Sequence, residues 1–273
     1  MTRIIKSVEL PNQVTLQYVE QGDPAGVPVI LLHGVTDSWY SFEPVLPHLP
    51  ESIHAFALTQ RGHGDSSHPA DGYRFPDFAG DVAGFMDALQ IEAAVVVGHS
   101  MGSGVGKRFA IDYPERTLGL VLVGAFATFQ TNQGVREFWD SVVSNLSDPV
   151  DPGIAREFQE STLARPVPPA FLETVIQESL KVPARVWRAV FGGFMRDDYS
   201  EDLEKIKAPT LIVWGDRDSF CPGGDQETLL AEISGSRLVV YEGAGHALHW
   251  EEPERFASDL SAFVKECAPS AGS

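Results

Sequence analysis

The sequence predicts an α/β fold: a mostly parallel eight-stranded sheet with helices on both faces and an inserted helical cap. Three observations carry that prediction. Six segments are apolar at consecutive positions, the mark of strands buried on both faces. Amphipathic helical patterns separate several of them, so the chain alternates strand and helix as parallel crossovers require. One long stretch, residues 126–200, contains helical patterns and no strand.

In chain order, the first twenty residues read as two strands, near Ile4–Leu10 and Val14–Glu20, joined at Pro11-Asn12. The doubly buried strands follow at Val29–Leu32, Ile53–Leu58, Ala94–Val97, Leu118–Val123, Leu211–Trp214 and Leu238–Tyr241. Helices are predicted at Asp77–Leu89, Met101–Tyr113, Gln226–Ile233 and Arg255–Val264. The insertion holds four more, at Val135–Asn145, Ile154–Thr162, Ala170–Leu180 and Ala184–Met195, punctuated by proline-rich breaks. A structureless connection of that length is rare in a compact domain, so the segment is expected to be a helical insertion between two sheet strands. The organisation that follows is a core of residues 1–125 and 201–273, interrupted by a cap of residues 126–200.

Composition limits the function classes. The 273 residues are 43% hydrophobic and 10% aromatic, which excludes a disordered chain. Thirty-eight acidic against 20 basic side chains give a net charge of −18. Nucleic acid and anionic membrane surfaces are excluded as main partners by that charge, since both would be repelled. The partner expected is a small-molecule substrate, and the oligomeric state stays open between monomer and homodimer. The two cysteines, Cys221 and Cys267, have no metal-ligand spacing and make no disulfide framework. The amino terminus lacks the apolar stretch of a signal peptide, so the expectation is a cytoplasmic protein.

The strongest chemical signal is Gly98-His99-Ser100-Met101-Gly102. It follows one buried strand directly and opens a helix, the context in which G-x-S-x-G places a serine on a tight turn. A nucleophilic serine needs a base, and the base needs an orienting acid. Downstream, one buried strand ends in Gly215-Asp216-Arg217-Asp218 and the next in Glu242-Gly243-Ala244-Gly245-His246. Serine, aspartate and histidine thus appear in order, each at the carboxyl end of a predicted strand. A parallel sheet lines those ends along one edge, where groups distant in sequence meet.

With these motifs the chain resembles the α/β-hydrolase family. The resemblance extends to His33-Gly34 after the third strand, to Arg61-Gly62-His63-Gly64-Asp65-Ser66 after the fourth, and to the position of the insertion. It implies Ser100 as nucleophile, His246 as general base and then acid, and Asp218 as orienting acid, with Asp216 as the alternative. Some members carry the acid after the sixth strand, but here that position reads Val123-Gly124-Ala125-Phe126 and offers no carboxylate. It also implies an oxyanion hole made by the backbone N–H groups of Val35 and Met101. His33, His63 and His99 are expected to brace turns. The pair His246 and His249 lacks the supporting pattern of a metal site, so neither metal nor cofactor is expected.

The predicted cap is rich in aromatic residues. Phe126, Phe129, Trp187, Phe191 and Phe220, with Trp39 beyond the oxyanion loop, are the candidates for lining a pocket for an apolar substrate. The expected reaction is hydrolysis of a carboxylic ester or lactone through an acyl-enzyme. Alternatives within the same resemblance are carbon–carbon bond hydrolysis of ring-cleavage products and cofactor-free perhydrolysis. A ligand sensor of the same fold with very slow turnover is the alternative from a different functional class.

Overall fold

A computed structural model describes residues 4–130 and 132–268. Its strands are β1 (Ile5–Glu9), β2 (Thr15–Gln21), β3 (Val27–Leu32), β4 (Ile53–Thr59), β5 (Ala94–His99), β6 (Thr117–Val123), β7 (Thr210–Gly215) and β8 (Arg237–Tyr241). They form one sheet in the order β1-β2-β4-β3-β5-β6-β7-β8. The first two pairings, β1 with β2 and β2 with β4, are antiparallel, and all the others are parallel. The antiparallel start follows from the short Pro11-Asn12-Gln13 connection, because a parallel pair needs a crossover of a dozen residues or more. Gln13 takes φ 64° in that turn, and Leu10 and Val14 close it by a backbone hydrogen bond of 2.8 Å.

Burial on both faces of the central strands explains their unbroken apolar runs. Ile30, Leu32, Val96, Leu120, Leu122 and Ile212 point to one side. That side is covered by α1 (Phe75–Ala88) and α2 (Met101–Asp112). Their neighbours Val29, Leu31, Val95, Val97, Val121 and Val213 point the other way. Between β6 and β7 lie α3 (Gln133–Ser141), α4 (Pro152–Ser161), α5 (Pro169–Leu180) and α6 (Ala184–Arg196). After β7 come α7 (Gly223–Glu232), the short α8 (Leu248–Glu251) and α9 (Pro253–Cys267). Phe256, Leu260 and Phe263 of α9 cover the second face of the sheet.

The predicted helix Val135–Asn145 is broken. Its first part is α3, capped by the Asn132 side chain on the Val135 N–H at 2.9 Å. Val142 then leaves helical geometry and Val143–Asn145 form a single 3₁₀ turn. The adjacent β-branched pair Val142-Val143 weakens the helix at that point. No helix among the described residues is long and apolar enough to cross a membrane.

The strand order also fixes where a ligand can sit. The chain leaves β3 toward β4 on one side and leaves β5 toward β6 on the other. Loops diverge where the order reverses, and the crevice outside the carboxyl ends of β3 and β5 is the usual ligand position in such sheets.

Candidate active site

Ser100 stands at that crevice, between the last residue of β5 and the first of α2. Its backbone has φ 52° and ψ −114°, a strained conformation for a residue with a side chain. The strain is imposed by close packing of the turn. A Cβ on Gly98 would sit 2.0 Å from the Gly102 carbonyl oxygen, and one on Gly102 would sit 2.2 Å from the Leu32 carbonyl oxygen. Only glycine fits either position, so the serine between them is driven outward. The Ser100 N–H is held by the Val123 carbonyl at 2.9 Å, while its side chain makes no capping bond to α2. The hydroxyl is therefore available for chemistry.

His246 follows β8 and Asp218 follows β7, and the structure brings them together. His246 Nδ1 donates to Asp218 Oδ2 at 2.8 Å, with the two side chains only 4% and 0% exposed. The other oxygen, Oδ1, accepts from the N–H groups of Phe220 at 2.8 Å and Cys221 at 2.9 Å. The carboxylate is thus clamped by its own turn, and its remaining oxygen fixes the His246 tautomer. Asp216 is occupied elsewhere: it accepts from the Gly243 N–H at 2.5 Å and braces the turn after β8. Ser100 and His246 line one cavity. A tight Ser–His contact is commonly formed only with substrate in place.

Val35 lies on the loop after β3, and Met101 directly follows Ser100 as the first residue of α2. Among the described residues neither N–H is engaged in a hydrogen bond. The Val35 loop is held by His33, whose Nδ1–H donates to the Gly34 carbonyl at 2.7 Å while its Nε2 accepts from the Gln60 N–H at 2.9 Å. His63 braces a neighbouring turn in the same way, donating from Nδ1 to the Arg61 carbonyl at 2.8 Å. Burial pushes His63 down to about 4 and His249 down to about 3, and it holds His33 and His99 well below the usual histidine range. These four rings are neutral at pH 7.

The cavity has a volume of about 40 Å³ and mostly aromatic walls. Of the six sequence candidates, Phe126, Phe129, Phe191 and Phe220 line it. The other two are placed differently. Trp187 is fully buried and packs among Phe158 and Phe191 as core of the helical segment. Trp39 packs against the opposite face of the sheet, its N–H on Thr59 Oγ1 at 3.1 Å. Phe138, Phe158, Phe194 and Trp250 also line the cavity. Helical spacing alone marks them as buried without telling which buried side faces a void.

Two further neighbours of the His–Asp pair escaped the sequence reading. Gly124, at φ 52°, lies so close that a Cβ would be 2.9 Å from His246 Nδ1. Cys221 Sγ donates to the Gly124 carbonyl at 3.1 Å and lies 3.8 Å from His246 Nδ1. Asp218, Cys221 and His246 keep their donor atoms within 4.8 Å of one another, a spacing compatible with a metal ion. Burial pushes the Cys221 thiol well above its ordinary range and keeps it protonated, and a thiol is a poor ligand in that state. His249 is engaged through Nε2 with Ser41 Oγ at 3.1 Å and does not join His246 in a ligand pair.

A strained serine on a strand-to-helix turn, a buried histidine and aspartate pair, and two unengaged N–H groups form one assembly at the sheet's carboxyl edge. The family model of the alpha/beta hydrolase fold matches residues 27–253. The chain belongs to this family. Among relatives of this α/β-hydrolase, a non-heme chloroperoxidase of Streptomyces lividans is 28% identical, with 95% of this chain and 99% of that protein covered. A bifunctional esterase/perhydrolase of Acinetobacter calcoaceticus is 27% identical over 94% of this chain and 99% of its own length. Among solved structures, a bromoperoxidase from Bacillus anthracis superposes with a TM-score of 0.85 at 26% identity, covering 96% of this chain and all of that one.

Proposed function

We propose that this α/β-hydrolase cleaves a small carboxylic ester or lactone through an acyl-enzyme on Ser100. The observation that carries the reading is Ser100 facing the same cavity as His246, whose Nδ1 is tied to Asp218 Oδ2 at 2.8 Å. Ser100 Oγ attacks the substrate carbonyl carbon while its proton passes to His246 Nε2. The carbonyl oxygen, now an oxyanion, is received by the N–H groups of Val35 and Met101. The C–O bond to the leaving alcohol breaks as His246 returns the proton to that oxygen. Water then attacks the acyl group with His246 again as base, and the acid departs with Ser100 restored. No step in this cycle calls for a cofactor.

The cavity, about 40 Å³ against the roughly 300–1,000 Å³ of pockets that take drug-sized ligands, supports short acyl groups. The test is hydrolysis of p-nitrophenyl esters from acetate to octanoate by wild type and Ser100→Ala. Multiple turnovers that vanish in the variant, with rates highest for acetate and butyrate, are the expected result. Activity that survives in Ser100→Ala would overturn the nucleophile assignment, and a single burst without turnover would favour a sensor. The names of the two relatives favour perhydrolysis as a second reading, in which hydrogen peroxide replaces water and the acyl group leaves as a peracid. Bromide oxidation in acetate with peroxide, measured on the same two proteins, tests it.

A further inference from the structure

Beyond the end of β6 the chain passes directly against the His246 ring. A Cβ on Gly124 would lie 2.9 Å from His246 Nδ1 and 3.1 Å from its Cε1, so this backbone crowds the imidazole edge that bonds Asp218. Two residues on, the Phe126 ring faces the same imidazole at 6.1 Å. The sheet sets the start of this path, where the Gly124 N–H donates to the Val213 carbonyl at 3.1 Å. β6 itself has ended at Val123, and the next three carbonyls have no backbone donor among the described residues.

Side chains take that place. Cys221 Sγ donates to the Gly124 carbonyl at 3.1 Å, Gln226 Nε2 to the Ala125 carbonyl at 2.9 Å, and Lys107 Nζ to the Phe126 carbonyl. All three side chains are buried. They come from two places in the core, α2 for Lys107 and the segment running from β7 into α7 for the other two. Lys107 is the least expected of them, because a fully buried lysine is rare unless its charge is paired. Burial pushes it down to about 8, and its one hydrogen bond among the described residues goes to a carbonyl. Cys221 Sγ also lies 3.8 Å from His246 Nδ1, but that nitrogen already gives its proton to Asp218, so the thiol proton goes to Gly124. Three buried donors on three consecutive carbonyls thus fix the path of the backbone that touches the imidazole.

We propose that Cys221, Gln226 and Lys107 are positioning residues for His246: by holding the backbone of residues 124–126 against the imidazole, they keep its Nδ1–H aimed at Asp218 Oδ2. The inference rests on the ester or lactone reading above and deepens it, since a general base that tilts meets the Ser100 proton off line.

The test compares wild type with Cys221→Val, Gln226→Met and Lys107→Met, which remove a donor and keep apolar bulk, and with Cys221→Ser, which keeps a donor. Two quantities are read: steady-state hydrolysis of p-nitrophenyl butyrate, and the low-field proton resonance of the His246 Nδ1–H, assigned by its loss in Asp218→Ala. In the three donor-free variants kcat is expected to fall about tenfold with KM within about twofold, and the resonance to shift. Cys221→Ser should recover kcat to within about threefold and return the resonance to its wild-type position, which packing alone would not require. Thermal unfolding shows which variants fold, and each donor-free variant with a native transition gives a readout. An unchanged resonance in those variants overturns the proposal, as does an unchanged kcat where wild type turns over. Loss of fold in all three marks the contacts as structural only and overturns it too. A resonance that shifts while wild type hydrolyses no ester would instead overturn the proposed reaction and leave the positioning standing.

Discussion

Asp218→Asn is the sharpest perturbation available at the proposed triad, because the structure dictates which way the amide must turn. The backbone N–H groups of Phe220 and Cys221 approach one carboxylate oxygen at 2.8 and 2.9 Å. In the asparagine variant that position keeps the amide oxygen, since an NH2 there would face two donors. The NH2 therefore takes the place of Oδ2, 2.8 Å from His246 Nδ1, and presents a proton to it. His246 answers by carrying its own proton on Nε2, where it can no longer accept one from Ser100. A wrong tautomer of this kind costs about 10⁴ in kcat in another triad hydrolase, or about 5 kcal/mol of barrier at 1.36 kcal/mol per tenfold. Asp216→Asn is the control. Its oxygen can keep the 2.5 Å bond from the Gly243 N–H, so its kcat should stay within about threefold of wild type. Steady-state hydrolysis of p-nitrophenyl butyrate by the three proteins decides between the aspartates. Loss in Asp216→Asn with Asp218→Asn nearly intact would refute the reasoning.

Other residues give separate tests. His63 and His249 are held near 4 and near 3, below the 6.5 of an exposed ring, so between those values and 6.5 the unfolded chain binds protons that the folded one refuses. Stability should therefore fall with pH below 6.5, each of these rings adding about 1.4 kcal/mol per pH unit, with Asp37 opposing them from about 7 downward. A Tm that stays flat from pH 7 to pH 5 would contradict that balance. Gly124→Ala places a methyl 2.9 Å from His246 Nδ1 at φ 52° and is expected to lower kcat by more than tenfold, checked by the same ester assay. Trp187→Ala should cost about 3–5 kcal/mol in urea unfolding, as large core truncations do, and leave the order of acyl-chain preference unchanged. Phe126→Ala, on the cavity wall, should shift that preference toward longer chains.

The sheet and the convergence of Ser100, Asp218 and His246 at its carboxyl edge were legible because each rests on a local constraint that leaves a mark in sequence. Alternate residues of β3 and β5 enter opposite cores, so both strands must be apolar throughout. Gly98 and Gly102 press on backbone carbonyl oxygens, so neither tolerates a side chain, and the serine between them is marked by its neighbours. The cavity wall leaves no such mark. Trp187 and Phe191 lie on one helix and stack at 6.3 Å, yet only Phe191 reaches the void. Which side of a buried aromatic cluster is hollow depends on how four helices settle together.

The same contrast separates the reaction from its substrate. The groups proposed to carry the reaction hang on turns whose geometry the backbone imposes: Asp218 is clamped by the two N–H groups following it, and Ser100 by the glycines around it. The polar part of the cavity wall is assembled across elements, with Asp37 after β3, His99 at the end of β5 and Gln159 on α4. A shift of α4 would move Gln159 off Asp37 and change the shape and polarity of the cavity, without disturbing the His246–Asp218 bond. Selectivity in this protein can thus change through the helical segment alone while the chemistry is held by the sheet. A Gln159→Leu variant puts that separation to a measurement. It should change the order of acyl-chain preference and keep the pH dependence of kcat for p-nitrophenyl butyrate. A displaced pH profile would mean that α4 reaches the triad after all, and that the two halves of the site are coupled.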